Sequence, residues 1–205
     1  MIFLPTTQRE VTDMKKQIIT ISRQSGSGGY LIGRELSERL GIPLYDKFFV
    51  EANACQGDDS AHSCTSLLFS LATGTYDGYL LDKPTEGDPT TYQGELVRRL
   101  ADQGPCVFVG RCADYFLRGR EDCLRVFLRG DMADRIERLV TRDGLTPDSA
   151  QRLAESRDAM RARHYNFLTD GVWGDPANYD LVLDSSELGL EACVEQILAA
   201  CESCE

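Results

Sequence analysis

Along this chain, short apolar runs alternate with stretches in which apolar residues return every three or four positions. Gln17–Gly33, QIITISRQSGSGGYLIG, sets the pattern. Ile18, Ile19 and Ile21 form a β-branched run of the kind that makes a buried strand. Leu31, Ile32, Leu36 and Leu40 then recur at helical spacing and predict a helix over Tyr30–Leu40. Gly41 closes it, and the residues after it read as a short second strand ending on Asp46. Leu96, Val97 and Leu100 mark one face of a helix over Tyr92–Gln103, and Cys106–Val109 is a third strand. Ala113–Arg118 predicts a short helix, and Leu124–Leu128 a fourth strand. Asp131 stands where it would cap a helix over Met132–Arg142. Thr146-Pro147 opens a long helix that runs to the neighbourhood of Phe167. Tyr179–Leu183 is a fifth strand ending at Asp184, and Leu190, Cys193, Val194, Ile197 and Cys201 give a closing helix its apolar side.

Strands alternating with helices imply an α/β domain with a parallel sheet covered on both faces. Residues 1–15 lack periodicity and are expected to form a loose tail; Met14 is an alternative start to Met1. Residues 16–205 then form one domain. Gly57–Pro89, broken by Gly74, Gly78, Pro84 and Gly87, reads as an irregular insert serving as a lid or acceptor-binding segment.

The turn between the first strand and helix carries the candidate chemistry. Strand, glycine turn and helix point backbone N–H groups and a helix N-terminus at one spot, which suits a phosphate. As a dinucleotide fingerprint, G-x-G-x-x-G, the turn fails, because Leu31 stands at the third glycine although Asp46 lies at a suitable distance. As a phosphate loop, G-x-x-x-x-G-K-[ST], it places Gly28 at the second glycine. Arg23, Gly29 and Tyr30 then stand at the first glycine, the lysine and the hydroxyl. A glycine-rich turn with no ligand is the plain alternative. Asp46 and Lys47 fall at the carboxyl end of the second strand, where ligands of open α/β sheets bind, unless Asp46 only caps a following helix.

Charge narrows the field. A net charge of −11 argues against a nucleic-acid surface, but 18 of the 22 basic residues are arginine, the side chain suited to bidentate phosphate contacts. Arg135, Arg138 and Arg142 share one helix face, and Arg157, Asp158 and Arg161 sit on the next helix. His62 and His164 are the only histidines: His62 lies in the irregular insert, His164 sits in a helix beside arginines and reads as a structural residue or substrate contact rather than a general base, and two do not make a histidine metal cage. The eight cysteines sit without a signal-peptide pattern, and the Cys201-x-x-Cys204 pair has no second pair to complete a zinc site. Free thiols in a cytoplasmic protein, with no membrane segment, are the expectation.

ITISRQSGSGGYLIGRELSERLGIPLYDK, VFVGRCADYFL and RARHYNFLTDGVWGDPANYDLVLDSS occur in that order and together resemble the cytidylate kinase-like proteins. The resemblance implies a three-layer α/β/α P-loop NTPase-like fold with a five-stranded parallel sheet and a small lid or insert. It implies ATP with Mg²⁺ and a pyrimidine nucleoside monophosphate as acceptor. Ser25, Gly26, Ser27, Gly28, Gly29 and Tyr30 then form the phosphate loop. Asp46, Lys47, Asp114, Arg157, Asp158 and Arg161 face the acceptor, with Arg23, Arg111, Arg135 and Arg138 as catalytic cations. Cys112 replaces the Asp that follows Gly-Arg in those enzymes, Gly29 replaces their lysine, and no carboxylate ends the third strand to hold Mg²⁺. A nucleotide- or anion-binding protein without catalysis is therefore the second reading. Arg23 and Lys47 are the candidates to replace the lysine; Arg23 pointing to solvent is the bland alternative.

Overall fold

β1 (Ile18–Arg23) is the middle strand of a five-stranded sheet. It pairs in parallel with β3 (Cys106–Val109) on one side and β4 (Cys123–Arg129) on the other, so Ile18 faces Cys106 and Cys123. β2 (Leu44–Tyr45) and β5 (Leu181–Asp184) complete the order β2-β3-β1-β4-β5, every pair parallel. The computed structural model describes residues 14–46, 89–169 and 171–202.

The helices are α1 (Gly29–Leu40), α2 (Pro89–Ala101), α3 (Ala113–Phe116), α4 (Met132–Asp143), α5 (Pro147–Thr169), α6 (Ser185–Leu188) and α7 (Leu190–Glu202). Alternation along the strands divides them into two layers. Ile19, Ile21, Val126 and Leu128 bury against Ile32 and Leu36 of α1 and Cys193, Val194 and Ile197 of α7. Ile18, Cys106, Phe108 and Cys123 turn the other way, to Leu96, Val97 and Leu100 of α2 and Leu117 beyond α3. This is the expected three-layer α/β/α arrangement. α4 and α5 pack on each other through Leu139, Ala150 and Ala154.

Several local expectations change. Met14 is buried, and the Lys15 and Lys16 N–H groups both donate to the Cys201 carbonyl (3.2 Å each), so the chain is tied down before residue 16. Asp131 occupies the N-cap of α4 but its side chain makes no capping bond; its N–H donates to Ser186 Oγ instead (2.9 Å). β5 begins two residues late, because Pro176–Asn178 forms a 3₁₀ turn and Tyr179 is drawn into the interior. Four-residue α6, capped by Asp184, was not visible in the periodicity. Lys47, His62, Lys83, Cys204 and residues 57–88 of the expected insert lie outside the described residues.

Candidate functional site

After Arg23 the chain leaves β1 and turns through Gly26 (φ 83°) and Gly28 (φ 85°), left-handed positions that glycine adopts without strain. Gly28 is the N-cap of α1 and supplies no side-chain cap, so the first N–H groups of the helix face outward as an anion seat would require. Behind the turn there is no room. A Cβ on Gly26 would lie 2.5 Å from the Arg135 carbonyl oxygen, and one on Gly28 would run into Leu190 of α7. Gly28 therefore clears the back of the loop, not a ligand on its front. Ser27 is buried and its Oγ donates to the Gln24 carbonyl (2.9 Å). Tyr30, at the hydroxyl position of a phosphate loop, is 46% exposed.

The arginine ladders reach the turn, and they grip its carbonyls. Arg135 Nε donates to the Ser25 carbonyl (2.7 Å), and its Nη2 pairs with Asp158. Arg138 Nη1 donates to the Gly26 carbonyl (3.2 Å) and Nη2 to the Ser185 carbonyl (3.2 Å). Arg161 Nη1 donates to the Arg23 carbonyl (3.3 Å) and to Asp158 Oδ1 (3.0 Å). Asp158 Oδ1 also accepts from the Ser25 N–H (2.7 Å). Asp158 is thus the hub that joins α4, α5 and the turn. Arg157, one residue earlier, is half-buried and takes no part in these bonds. Arg142, expected to share the ladder, pairs with neighbouring Asp143 in solvent.

A second chain segment arrives from β3. Gly110, Arg111 and Cys112 are three consecutive left-handed residues (φ 80°, 63° and 52°), two of them not glycine. Such strain persists where the surroundings over-determine it. Gln93 Nε2 donates to the Arg111 carbonyl (2.6 Å) and helps hold the run. The Arg23 side chain crosses to this segment: a Cβ on Gly110 would collide with Arg23 Nη1. Burial, with Arg161 and Arg111 close by, pushes the Arg23 guanidinium down to about 9, while Asp46 and Asp158 oppose the shift. His164 is lowered by burial and then by Arg111. Arg23, Arg111, Arg161 and His164 therefore converge at the carboxyl ends of β1 and β3, with Asp46 on their β2 side. The sequence marks His164 as a structural or contact residue; the structure brings it close to Arg111.

Asp114 sits apart from the turn. It is buried on the opposite sheet face from α1, where Ser22 Oγ donates to its Oδ1 (3.0 Å). Burial raises its carboxyl above the ordinary range, and it raises the buried phenols of Tyr165 and Tyr179 in turn. Among the described residues, Asp114 Oδ2 and the Tyr179 hydroxyl have no hydrogen-bond partner. A cavity of about 120 Å³ opens beside Asp114, lined also by Arg118, Arg125, Tyr165 and Asn178. No lining residue belongs to the glycine turn. Ser22, Tyr165 and Tyr179 were missed in the sequence, where a Ser in a strand and two tyrosines carry no spacing signal.

The implied Mg²⁺ does not find a protein-built site among the described residues. Exposed Tyr30 stands where a small hydroxyl is needed, β3 ends Val109-Gly110 without a carboxylate, and no cluster of three His, Cys, Asp or Glu side chains forms. The five described cysteines, Cys106, Cys112, Cys123, Cys193 and Cys201, are free and buried, as expected of small apolar side chains. Among the described residues no helix is long and apolar enough to cross a membrane.

The chain has similar proteins in two directions. A cytidylate kinase of Pyrobaculum aerophilum is 27% identical over 179 residues, covering 86% of this chain and 88% of its own. One of Methanothrix thermoacetophila is 28% identical over 185 residues, covering 89% and 96%. Among solved structures, an uncharacterized protein from Eubacterium ventriosum superposes with a TM-score of 0.73 at 25% identity, covering 91% of this chain and 99% of its own. A gluconokinase from Sinorhizobium meliloti gives 0.54 at 16% identity, covering 92% and 95%, which speaks for the fold alone. The family model for the cytidylate kinase-like family matches residues 18–187, and the chain belongs to that family.

Proposed function

We propose that this protein is a nucleoside monophosphate kinase that transfers the γ-phosphoryl group of ATP to a pyrimidine nucleoside monophosphate such as CMP or dCMP. One observation carries the reading. Three arginines and His164 converge beside an uncapped helix N-terminus at the carboxyl edge of a parallel sheet. Phosphoryl transfer asks little covalent help of a protein; it asks for positioning and for positive charge around the migrating group.

In this reading the first-turn N–H groups of α1 cradle the donor phosphates, and Arg23 and Arg161 stand beside the transferring one. Arg111 and Asp46 face the acceptor, and Lys47 joins them. Arg135 and Arg138 act by holding the loop in shape, each donating to one of its carbonyls, Ser25 and Gly26, while also bonding Asp158 and Ser185. Mg²⁺ would enter bound to ATP, since no described residues build a cage for it. The free thiols of the five described cysteines fit a cytoplasmic enzyme.

The second reading is nucleotide or anion binding without catalysis, favoured by Gly29 at the lysine position. Coupled measurement of ADP formation with ATP, Mg²⁺ and a panel of nucleoside monophosphates decides between them. Turnover highest with CMP or dCMP is expected. ATP binding with no turnover on any acceptor establishes the second reading.

A further inference from the structure

The least expected contact of the site is the one between Arg23 and two glycines. The Arg23 side chain leaves β1 and lies across Gly29: a Cβ there would sit 2.7 Å from Arg23 Cγ and 3.0 Å from its Cβ. It then ends over Gly110, whose own missing side chain leaves the space that Nη1 occupies. Gly29 is buried as the first residue of α1. With Arg23 lying where it does, a side chain at position 29 meets its Cβ and Cγ, and one of the two has to move.

A standard phosphate loop has glycine at the first of these positions and lysine at the other. Here the order is reversed, arginine first and glycine second. We infer that residues 23 and 29 are an exchanged pair: Arg23 carries the phosphate-directed cation, reaching a terminal donor phosphate from the Gly110 side, and Gly29 and Gly110 are its clearance. This rests on the reading of the turn as a phosphate seat.

The electrostatics agree with the geometry. The Arg23 guanidinium makes no hydrogen bond and no ion pair to any described residue, although its carbonyl is bonded to Arg161. Burial and then Arg161 and Arg111 disfavour its charge, and the smaller opposing effects of Asp46 and Asp158 do not cancel them. A guanidinium among like charges, with no donor spent on a described residue, is matched by a phosphate that accepts two of its N–H groups side by side. A purely space-filling Arg23 would have no use for that charge.

The test uses four proteins besides the wild type: Arg23→Met, Arg23→Lys, Gly29→Lys and the double exchange Arg23→Gly/Gly29→Lys. Binding of ATP and of inorganic tripolyphosphate, which has no base or ribose, is read by calorimetry, with thermal unfolding on each variant. Arg23→Met keeps the stem over both glycines, and it is expected to lose at least tenfold affinity for both probes while unfolding near the wild-type temperature. Arg23→Lys should retain part of the affinity. Gly29→Lys alone crowds Arg23 and should bind worse than the double exchange, which returns the cation by the usual route. Arg23→Met within twofold of wild type, or a double exchange no better than Gly29→Lys alone, overturns the inference. Wild-type protein that binds tripolyphosphate without phosphorylating any monophosphate removes the kinase reading and leaves Arg23 to be judged by the same affinities. If the wild type binds neither probe, both fall.

Discussion

The two faces of the sheet are built from the same strands and do opposite work. Toward α1 and α7, β1 and β4 present Ile19, Ile21, Leu124, Val126 and Leu128, and nothing polar interrupts the buried set. Toward α2, α3 and α5 the same strands begin equally apolar, with Ile18 and Cys123, but β1 finishes on Thr20 and on Ser22, which bonds to buried Asp114. The difference teaches where each cost is borne. The unbroken face stabilises the fold by apolar burial, and the other accepts poorly paired polar groups close to the edge where a ligand would sit.

Truncation on the unbroken face breaks the comparison hardest. Leu36 is fully buried, and Leu36→Ala should cost about 2–5 kcal/mol, measured by urea unfolding, with the slope unchanged and anion affinity retained in the folded fraction. At the polar edge, Asp158→Ala leaves Arg135 without its carboxylate and the Ser25 N–H without its acceptor. Loss of a fully buried partner costs roughly 3–5 kcal/mol. The Asp158 side chain is 16% exposed, which brings the expected figure to about 2–3 kcal/mol. Unlike Leu36→Ala, it should also loosen the turn, seen as faster amide exchange at Ser25 and Gly26.

Asp114→Asn sharpens the contrast through pH. Burial raises the folded-state carboxyl, so the folded protein holds a proton that the unfolded chain releases. Its contribution to stability is fully present below the ordinary carboxylate value, about 3.9, and is lost as pH rises through the folded value. Asn keeps an oxygen for Ser22 and carries no charge, so the variant should lose less stability than the wild type between pH 4 and about 7. Equal slopes for the two proteins count against the assignment. The smallest effect belongs to Arg39, on the outer surface of the unbroken side, which meets Glu35, Glu191 and Glu195 in solvent. Arg39→Ala should cost only about 0.2–1 kcal/mol, and less in high salt.

Much of the fold was legible because it rests on local pattern. Cys106–Val109 was read to the residue, since four apolar residues between Pro105 and Gly110 leave no other register. α6 was not, because four residues show no helical period and its cap, Asp184, looked like the end of a strand. In the candidate site, spacing put Arg135, Arg138 and Arg142 on one helix face; the first two reach the turn and Arg142 does not, because spacing says nothing about what a donor meets. That the first two meet carbonyls follows from Asp158 and from the turn's own geometry, both of them long-range. Gly29 read as a lost lysine; its second meaning, room for Arg23, needed coordinates.

The central place of β1 has a consequence for how the protein is made. Its partners follow far downstream: the Thr20 hydroxyl bonds to the Leu124 carbonyl across 104 residues of chain. A ribosome delivers this central strand well before its neighbours β3 and β4, so a nascent chain carries an unpaired, aggregation-prone strand until both have emerged. With contacts this non-local, refolding from denaturant should be slow for a domain of this size, and yield should fall as protein concentration rises. The Leu190 contact behind Gly28 adds a final dependence, because the glycine turn lacks its rear support until α7 has docked.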